Sequence, residues 1–176
     1  MNITTPRVLL FTGDGKGKTT AALGMLLRAS GHGLRALMLQ FIKSDTTTGE
    51  LTAAKRLPGV EIIQTGRGFV PKPDHPKFQE HVEAARAGLR QASEALSAKK
   101  YDLLVLDEIC TAISRKLLDE KAVIEALATA KGDVCLVLTG RDATPGLLAL
   151  ADTATEMRCL KHGLTNGILA QKGVEF

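Results

Sequence analysis

The sequence has no tryptophan and one tyrosine, and aromatic residues are 3% of its 176 positions. A protein so short of flat side chains has few platforms on which to stack unpaired bases, which argues against a single-strand nucleic-acid binder. Cysteine is scarce too. Cys110, Cys135 and Cys159 are odd in number and form no C-x-x-C pair, which excludes a disulfide framework and a structural zinc site and leaves buried thiols. No apolar run approaches the roughly 20 residues needed to cross a bilayer, and Met1 to Pro6 lack a basic and apolar leader, so a cytoplasmic location without membrane contact is expected. Repeats, low-complexity tracts and linkers are missing as well.

What is present is the balance of a globular chain, with 44% hydrophobic and 24% charged residues. The length suits one domain over residues 1–176. The formal net charge of +4 points to an anionic partner, and a small polyphosphate fits as well as a nucleic acid.

Apolar runs at residues 8–12, 34–41, 60–65, 102–107 and 134–139 read as short strands buried on both faces. Amphipathic segments lie between them. Residues 19–30 read as a helix closed by Gly31, and another helix is expected after Asp74-His75-Pro76, with a stripe of Phe78, Val82, Ala85, Leu89, Ala92 and Leu96 that packs into a core or a subunit contact. Alternating strands and helices predict right-handed crossovers and a mainly parallel sheet covered on both sides, a three-layer α/β domain. The irregular stretches 43–49 and 66–76 are candidates for the lip of a binding site.

The chemistry concentrates in "FTGDGKGKTT", residues 11–20. A strand, then Gly13-Asp14-Gly15-Lys16-Gly17-Lys18-Thr19-Thr20, then a helix is the context of a phosphate-binding loop. Glycines let N–H groups converge on phosphate oxygens, the helix N-terminus adds partial positive charge, Lys18 reaches the terminal phosphates, and the Thr19 hydroxyl can ligate Mg²⁺. Thr12 stands where the general pattern G-x-x-x-x-G-K-[ST] has its first glycine. Lys16 reads as a phosphate contact or a solvated lysine. The Asp14 carboxylate would repel phosphate unless turned away.

Far downstream, "DLLVLDE" ends an apolar strand in Asp107 and Glu108, the form of an acidic strand that holds Mg²⁺ beside such a loop. Together the two segments indicate a site for Mg²⁺ and ATP. Arg141, just past the strand at 134–139, lies on the edge where open α/β sheets bind ligands and reads as a phosphate contact or a surface ion pair. His162 reads as a structural hydrogen-bonding group or a ligand, and His32, His75 and His81 form no constellation.

The loop fixes a ligand and leaves the reaction open, so an ATPase or nucleotide switch acting on a protein or nucleic acid stands as one alternative. The segments "FTGDGKGKTTAALG", "QFIKS", "TGRGF", "LVLDEI", "LTGR" and "KHGLTNGILAQKGVEF" resemble, in order and over nearly the whole chain, the corrinoid adenosyltransferases with a phosphate-binding loop. The resemblance implies a P-loop NTPase-like, RecA-like fold and transfer of the 5′-deoxyadenosyl group of ATP to the Co(I) centre of a reduced corrinoid, with release of triphosphate. It further implies cobalamin biosynthesis, a flavoprotein reductant that supplies Co(I), and a homodimer.

By the same resemblance, catalytic roles fall to Lys18, Glu108 and Phe69. Gly13 to Thr20 and Arg141 bind the nucleotide, with Lys16 and Lys18 on the leaving triphosphate. Thr19 and Glu108 hold Mg²⁺, with Asp107 as a further or alternative ligand, and the Gly68-Phe69 region borders the lower face of the corrinoid. Pro71 and the lack of Trp mean that this lower-face pocket is built differently from that of many relatives.

Overall fold

A computed structural model describes residues 6–130 and 132–175. Residues 1–5, on which the reading of a missing leader rests, lie outside them, as do Lys131 and the last residue of the C-terminal block, Phe176. The elements run β1 (Arg7–Thr12), α1 (Lys18–Gly31), β2 (Ala36–Gln40), α2 (Gly49–Ala54), β3 (Val60–Gln64), α3 (Phe78–Ser97), β4 (Leu103–Asp107), α4 (Ile109–Ser114), α5 (Glu120–Leu127), β5 (Cys135–Thr139), α6 (Pro145–Leu150) and β6 (Thr153–Glu156). A 3-10 turn at Gly163–Asn166 follows.

The strands form one sheet in the order β3-β2-β4-β5-β1-β6, and every neighbouring pair is parallel. Side chains alternate between its faces, as a pleat requires. Leu37, Leu39, Leu104, Leu106, Leu136 and Leu138 join one core with α3 and α5, while Ala36, Met38, Leu103, Val105 and Val137 join a second core under α1. Two cores on opposite faces of one sheet make the three-layer α/β architecture.

Each of the five expected strands forms, and the stripe of α3 packs as its spacing predicts, with Val82, Ala85, Ala92 and Leu96 buried. Burial on both faces holds for β2 and β4 but not for β3, an edge strand that alternates half-buried and exposed residues. The edge strand β6, with the sequence TATE, is fully exposed and carries no apolar signal; it is held by its ladder to β1. Two helix ends also differ from expectation. The left-handed residue that closes α1 is Gly33, φ 70°, where the Leu34 amide returns to Ala29 O, so Gly31 is the last helical residue. Asp74 does not cap α3, because a turn intervenes in which His75 O and Nδ1 accept the amides of Phe78 and Lys77.

Register positions the site. Both β1 and β4 pair with β5, which puts Phe11 opposite Thr139 and Leu106 opposite Leu138, while β2 sets Gln40 opposite Asp107. The glycine-lysine loop, Thr139, Asp107 and Gln40 therefore emerge side by side on the C-terminal edge of the sheet, where open α/β sheets bind ligands.

Leu138, at 0% exposure, supports this edge from below. Leu138→Ala is expected to lower unfolding free energy by about 2–5 kcal/mol through lost burial and an unfilled cavity. Urea denaturation checks it; a loss below about 1 kcal/mol would show that this core collapses around the gap.

Candidate functional site

The turn from β1 into α1 is shaped from behind. Gly13 and Gly17 take left-handed conformations, φ 96° and 110°. A Cβ at Gly13 would lie 2.4 Å from Met157 O, and one at Gly15 would lie 2.7 Å from the same atom. Met157 follows β6, and its backbone clamps the loop: the Gly15 amide donates to Met157 O at 2.7 Å, and the Met157 amide donates to Thr12 O at 2.8 Å. Thr12, in place of the usual first glycine, uses its hydroxyl to accept the Ala143 amide. Asp14 is also engaged from this side, its Oδ1 accepting the Cys159 amide at 3.1 Å. That contact partners the carboxylate within the C-terminal segment.

α1 starts directly after Gly17 with no acidic residue in its first turn, so the partial positive charge at its N-terminus is uncompensated. Lys18 is 7% exposed and donates to Gly13 O and Gly15 O, both at 2.7 Å. Burial pushes its pKa down, partly opposed by the charge of Glu108. Lys16 is exposed and pairs with Glu175 Oε1 at 2.9 Å.

The acidic strand meets the loop through hydroxyls. Asp107 is fully buried, and its Oδ1 accepts both Thr19 Oγ1 and Thr139 Oγ1 at 2.8 Å. Oδ2 accepts Gln40 Nε2 at 3.3 Å. Burial pushes the Asp107 pKa up, while the two threonine hydroxyls pull it back. Glu108, in the left-handed region at φ 63°, turns the chain into α4 and gives its amide to Thr139 Oγ1. Its Oε2 accepts the Thr111 hydroxyl. Thr111 Oγ1 in turn accepts the Arg141 amide, and among the described residues the Arg141 guanidinium makes no ion pair.

These groups surround a cavity of about 750 Å³, lined among others by Lys18, Thr19, Lys43, Glu50, Glu108 and Arg141. The whole run Asp14 to Thr20 lines it, whereas Asp107 lies beneath its surface. Phe69 is not in its wall. That ring is 93% exposed on a loop tied back by the Gly68 amide to Ile42 O, one residue before Lys43.

His162 caps the 3-10 turn through Nδ1, which accepts the Leu164 amide. All three cysteines are free; Cys110 is buried with its thiol pushed up to about 12 by burial, while Cys135 and Cys159 are only half-buried.

Three polar residues of the site were given no role from sequence, Gln40, Glu50 and Thr139, while Lys43 and Gly49, the ends of the expected lip 43–49, do line the cavity. Lys43 Nζ donates to Glu50 Oε1 at 2.7 Å, and Gln40 Nε2 spans from Glu50 to Asp107. A usable signal existed. For Gln40 and Thr139 it is that β2, β4 and β5 are apolar strands that each end in a polar residue, Gln40, Asp107 and Thr139, aligned on one edge.

Comparison with known proteins accords with this geometry. Residues 4–176 match the model of the family described as ATP:corrinoid adenosyltransferase BtuR/CobO/CobP. The corrinoid adenosyltransferase of Pseudomonas aeruginosa is 38% identical over 170 residues, covering 96% of this chain and 83% of that protein. The corrinoid adenosyltransferase of Escherichia coli K12 is 34% identical over 169 residues, covering 96% and 85%. Among solved structures, the KaiC-like protein PH0186 of Pyrococcus horikoshii superposes with a TM-score of 0.56 at 18% identity, over 88% of this chain and 72% of that one, a likeness of fold alone. With the loop, the acidic strand and the match over nearly its full length in agreement, the chain belongs to the ATP:corrinoid adenosyltransferase family.

Proposed function

We propose that the cavity holds ATP by its triphosphate on the loop from Gly13 to Thr20 and presents the ribose 5′ carbon to a reduced corrinoid bound beside it. The activity, ATP-dependent adenosyl transfer to a corrinoid, comes with the family. Its chemistry needs little acid–base machinery. The electron pair of Co(I) attacks C5′, the C5′–O5′ bond breaks, and its pair leaves on the triphosphate, so no proton has to be removed. The protein must stabilise the charge gathering on the leaving group and keep carbon and cobalt in line.

Lys16, Lys18 and the uncompensated N-terminus of α1 supply positive potential for the triphosphate, and Arg141 reaches the same cavity. For Lys16 to do so it must give up Glu175. The observation that carries this reading is the bridge Thr19–Asp107–Thr139, which locks loop and acidic strand into one unit.

The residues fit a magnesium ion of the kind carried by ATP. Among the described residues no three His, Cys, Asp or Glu side chains cluster as a metal cage, which suits an ion held mainly by phosphates and water with few protein ligands. The Thr19 hydroxyl and Glu108 carboxylate would hold it, with Asp107 orienting Thr19 from below. When bound, the ion neutralises phosphate charge.

Phe69 is offered as the apolar contact to the lower corrinoid face. What supports this is its place: the ring is 93% exposed, free to meet a ligand, on a loop that the Gly68 amide ties to Ile42 O, next to Lys43 of the cavity wall. We further propose a single catalytic domain acting as a homodimer in the cytoplasm, with a flavoprotein supplying Co(I) and no part for nucleic acid. Among the described residues no helix is long and apolar enough to cross a membrane.

Anaerobic turnover with reduced corrinoid, ATP and Mg²⁺ should form the cobalt–carbon bond and release triphosphate one for one. Release of ADP and phosphate at a rate indifferent to corrinoid, with no triphosphate, would instead mark an ATPase. In the same assay Lys18→Ala should slow adenosylation at least about tenfold, the loss of one charged contact to the leaving group; near-normal turnover would remove Lys18 from the mechanism. Phe69→Ala should impair a corrinoid with a lower axial base more than a base-free one, and equal losses on both would count against its place at the lower face.

A further inference from the structure

The cavity changes character along its length. At the C-terminal edge of the sheet its wall is the loop, Lys43, Glu50 and Glu108. Further along α1 the wall is Leu23 and then Leu27; opposite them stand Ala53 of α2 and Leu57 in the turn that follows it, with Ile62 of β3 beside them. The site is charged and hydroxylic at the sheet edge and aliphatic below it.

Glu50 stands at the change, in the first turn of α2, and the mechanism above leaves it without a task. Its side chain is 11% exposed, and Oε1 accepts Lys43 Nζ at 2.7 Å and Gln40 Nε2 at 3.4 Å. Burial pushes its pKa up, but the Lys43 ammonium and Gln40 amide more than reverse this and hold it below the ordinary glutamate range. The group is therefore an anion at neutral pH.

A carboxylate in a cavity built for polyphosphate has to face something other than phosphate. A divalent cation at this carboxylate would sit against the Lys43 ammonium, so repulsion disfavours it there. Hydroxyl groups suit the position, since a carboxylate accepts O–H bonds at charge-assisted strength. In ATP the paired ribose hydroxyls lie between triphosphate and base, just as Glu50 lies between the cationic loop and the aliphatic wall.

We propose that Glu50 selects and orients the nucleotide by accepting its ribose hydroxyls, with the base resting against Leu23, Ala53 and Leu57. Lys43 and Gln40 fix the carboxylate from behind. Because the group transferred is the ribose 5′ carbon, a clamp on the same sugar ring sets the direction in which that carbon points. The inference rests on the reading that the triphosphate occupies the glycine-lysine loop.

Calorimetric binding without corrinoid tests it, using ATP, 2′-deoxy-ATP, 3′-deoxy-ATP and inorganic tripolyphosphate with Mg²⁺ on the full chain and on Glu50→Gln. The unsubstituted chain should bind at least one deoxy analogue about tenfold more weakly than ATP, the size of one hydrogen bond to a charged group. In Glu50→Gln, ATP should fall to within about twofold of that analogue while tripolyphosphate binding stays unchanged.

Equal binding of ATP and both deoxy analogues by the unsubstituted chain overturns the proposal whether or not the variant folds. Undiminished discrimination in Glu50→Gln also overturns it, as does a parallel loss of ATP and tripolyphosphate, which would place Glu50 at the phosphates or the metal. If the unsubstituted chain binds neither ATP nor tripolyphosphate, the reading of the loop falls and this inference with it. The other outcomes bear on Glu50 alone.

Discussion

The site depends on one buried carboxylate. Asp107 has no access to water, and an ion so placed is tolerated only when its lone pairs are taken up by donors. Here the donors come from three directions: Thr19 from α1, Thr139 from β5 and Gln40 from β2. Gln40 and Thr139 are held there by the parallel ladders, and Thr19 by the turn from β1 into α1. The cost of burying Asp107 is thus offset only when strands β2, β4 and β5 and the start of α1 are all in place, and that same arrangement assembles the proposed nucleotide site. Stability and function share a single set of hydrogen bonds at this point.

Around that carboxylate the charges are layered. Lys18 is drawn in against the loop carbonyls, Glu108 points its side chain to Thr111, and Lys43 is neutralised by Glu50. Two negative groups that would oppose a polyphosphate are engaged by partners other than the phosphate-facing lysines: Asp14 by the Cys159 amide and Asp107 by hydroxyls. In the cavity wall Lys43 is paired off with Glu50 and Lys16 with Glu175, and the N-terminus of α1, with no acidic residue in its first turn, keeps its partial positive charge for an anion.

Much of this was legible in the sequence because it is written in local patterns. Five apolar runs gave the strands, and a 3–4 spacing gave the buried face of α3, since both follow from the repeat of the element itself. What escaped was set by partners distant in the chain. The strand β6 has no apolar residue larger than alanine and exists through its ladder to β1. That the left-handed residue after α1 is Gly33 and not Gly31 follows from the turn in which both the His32 and the Leu34 amides return to Ala29 O. In the site, the loop and the pair Asp107-Glu108 declared themselves by composition, whereas Gln40 and Thr139 are ordinary residues brought to Asp107 by register, and Lys43 and Glu50 meet through a loop and the start of α2. The carboxylate of Asp14, awkward in sequence, is resolved by an amide 145 positions away.

The contact between Met157 and the loop bears on how such a motif is to be read over time. Gly13 and Gly15 have no room for a side chain on the side where the Met157 carbonyl presses on them, whatever ligand the loop binds from the other. Selection for a folded chain would therefore preserve both glycines in a descendant that no longer handled any nucleotide. In such a lineage the glycines would persist as a fossil of the fold, and loss of catalysis would be recorded first at positions that packing leaves free to drift, such as the exposed Lys16.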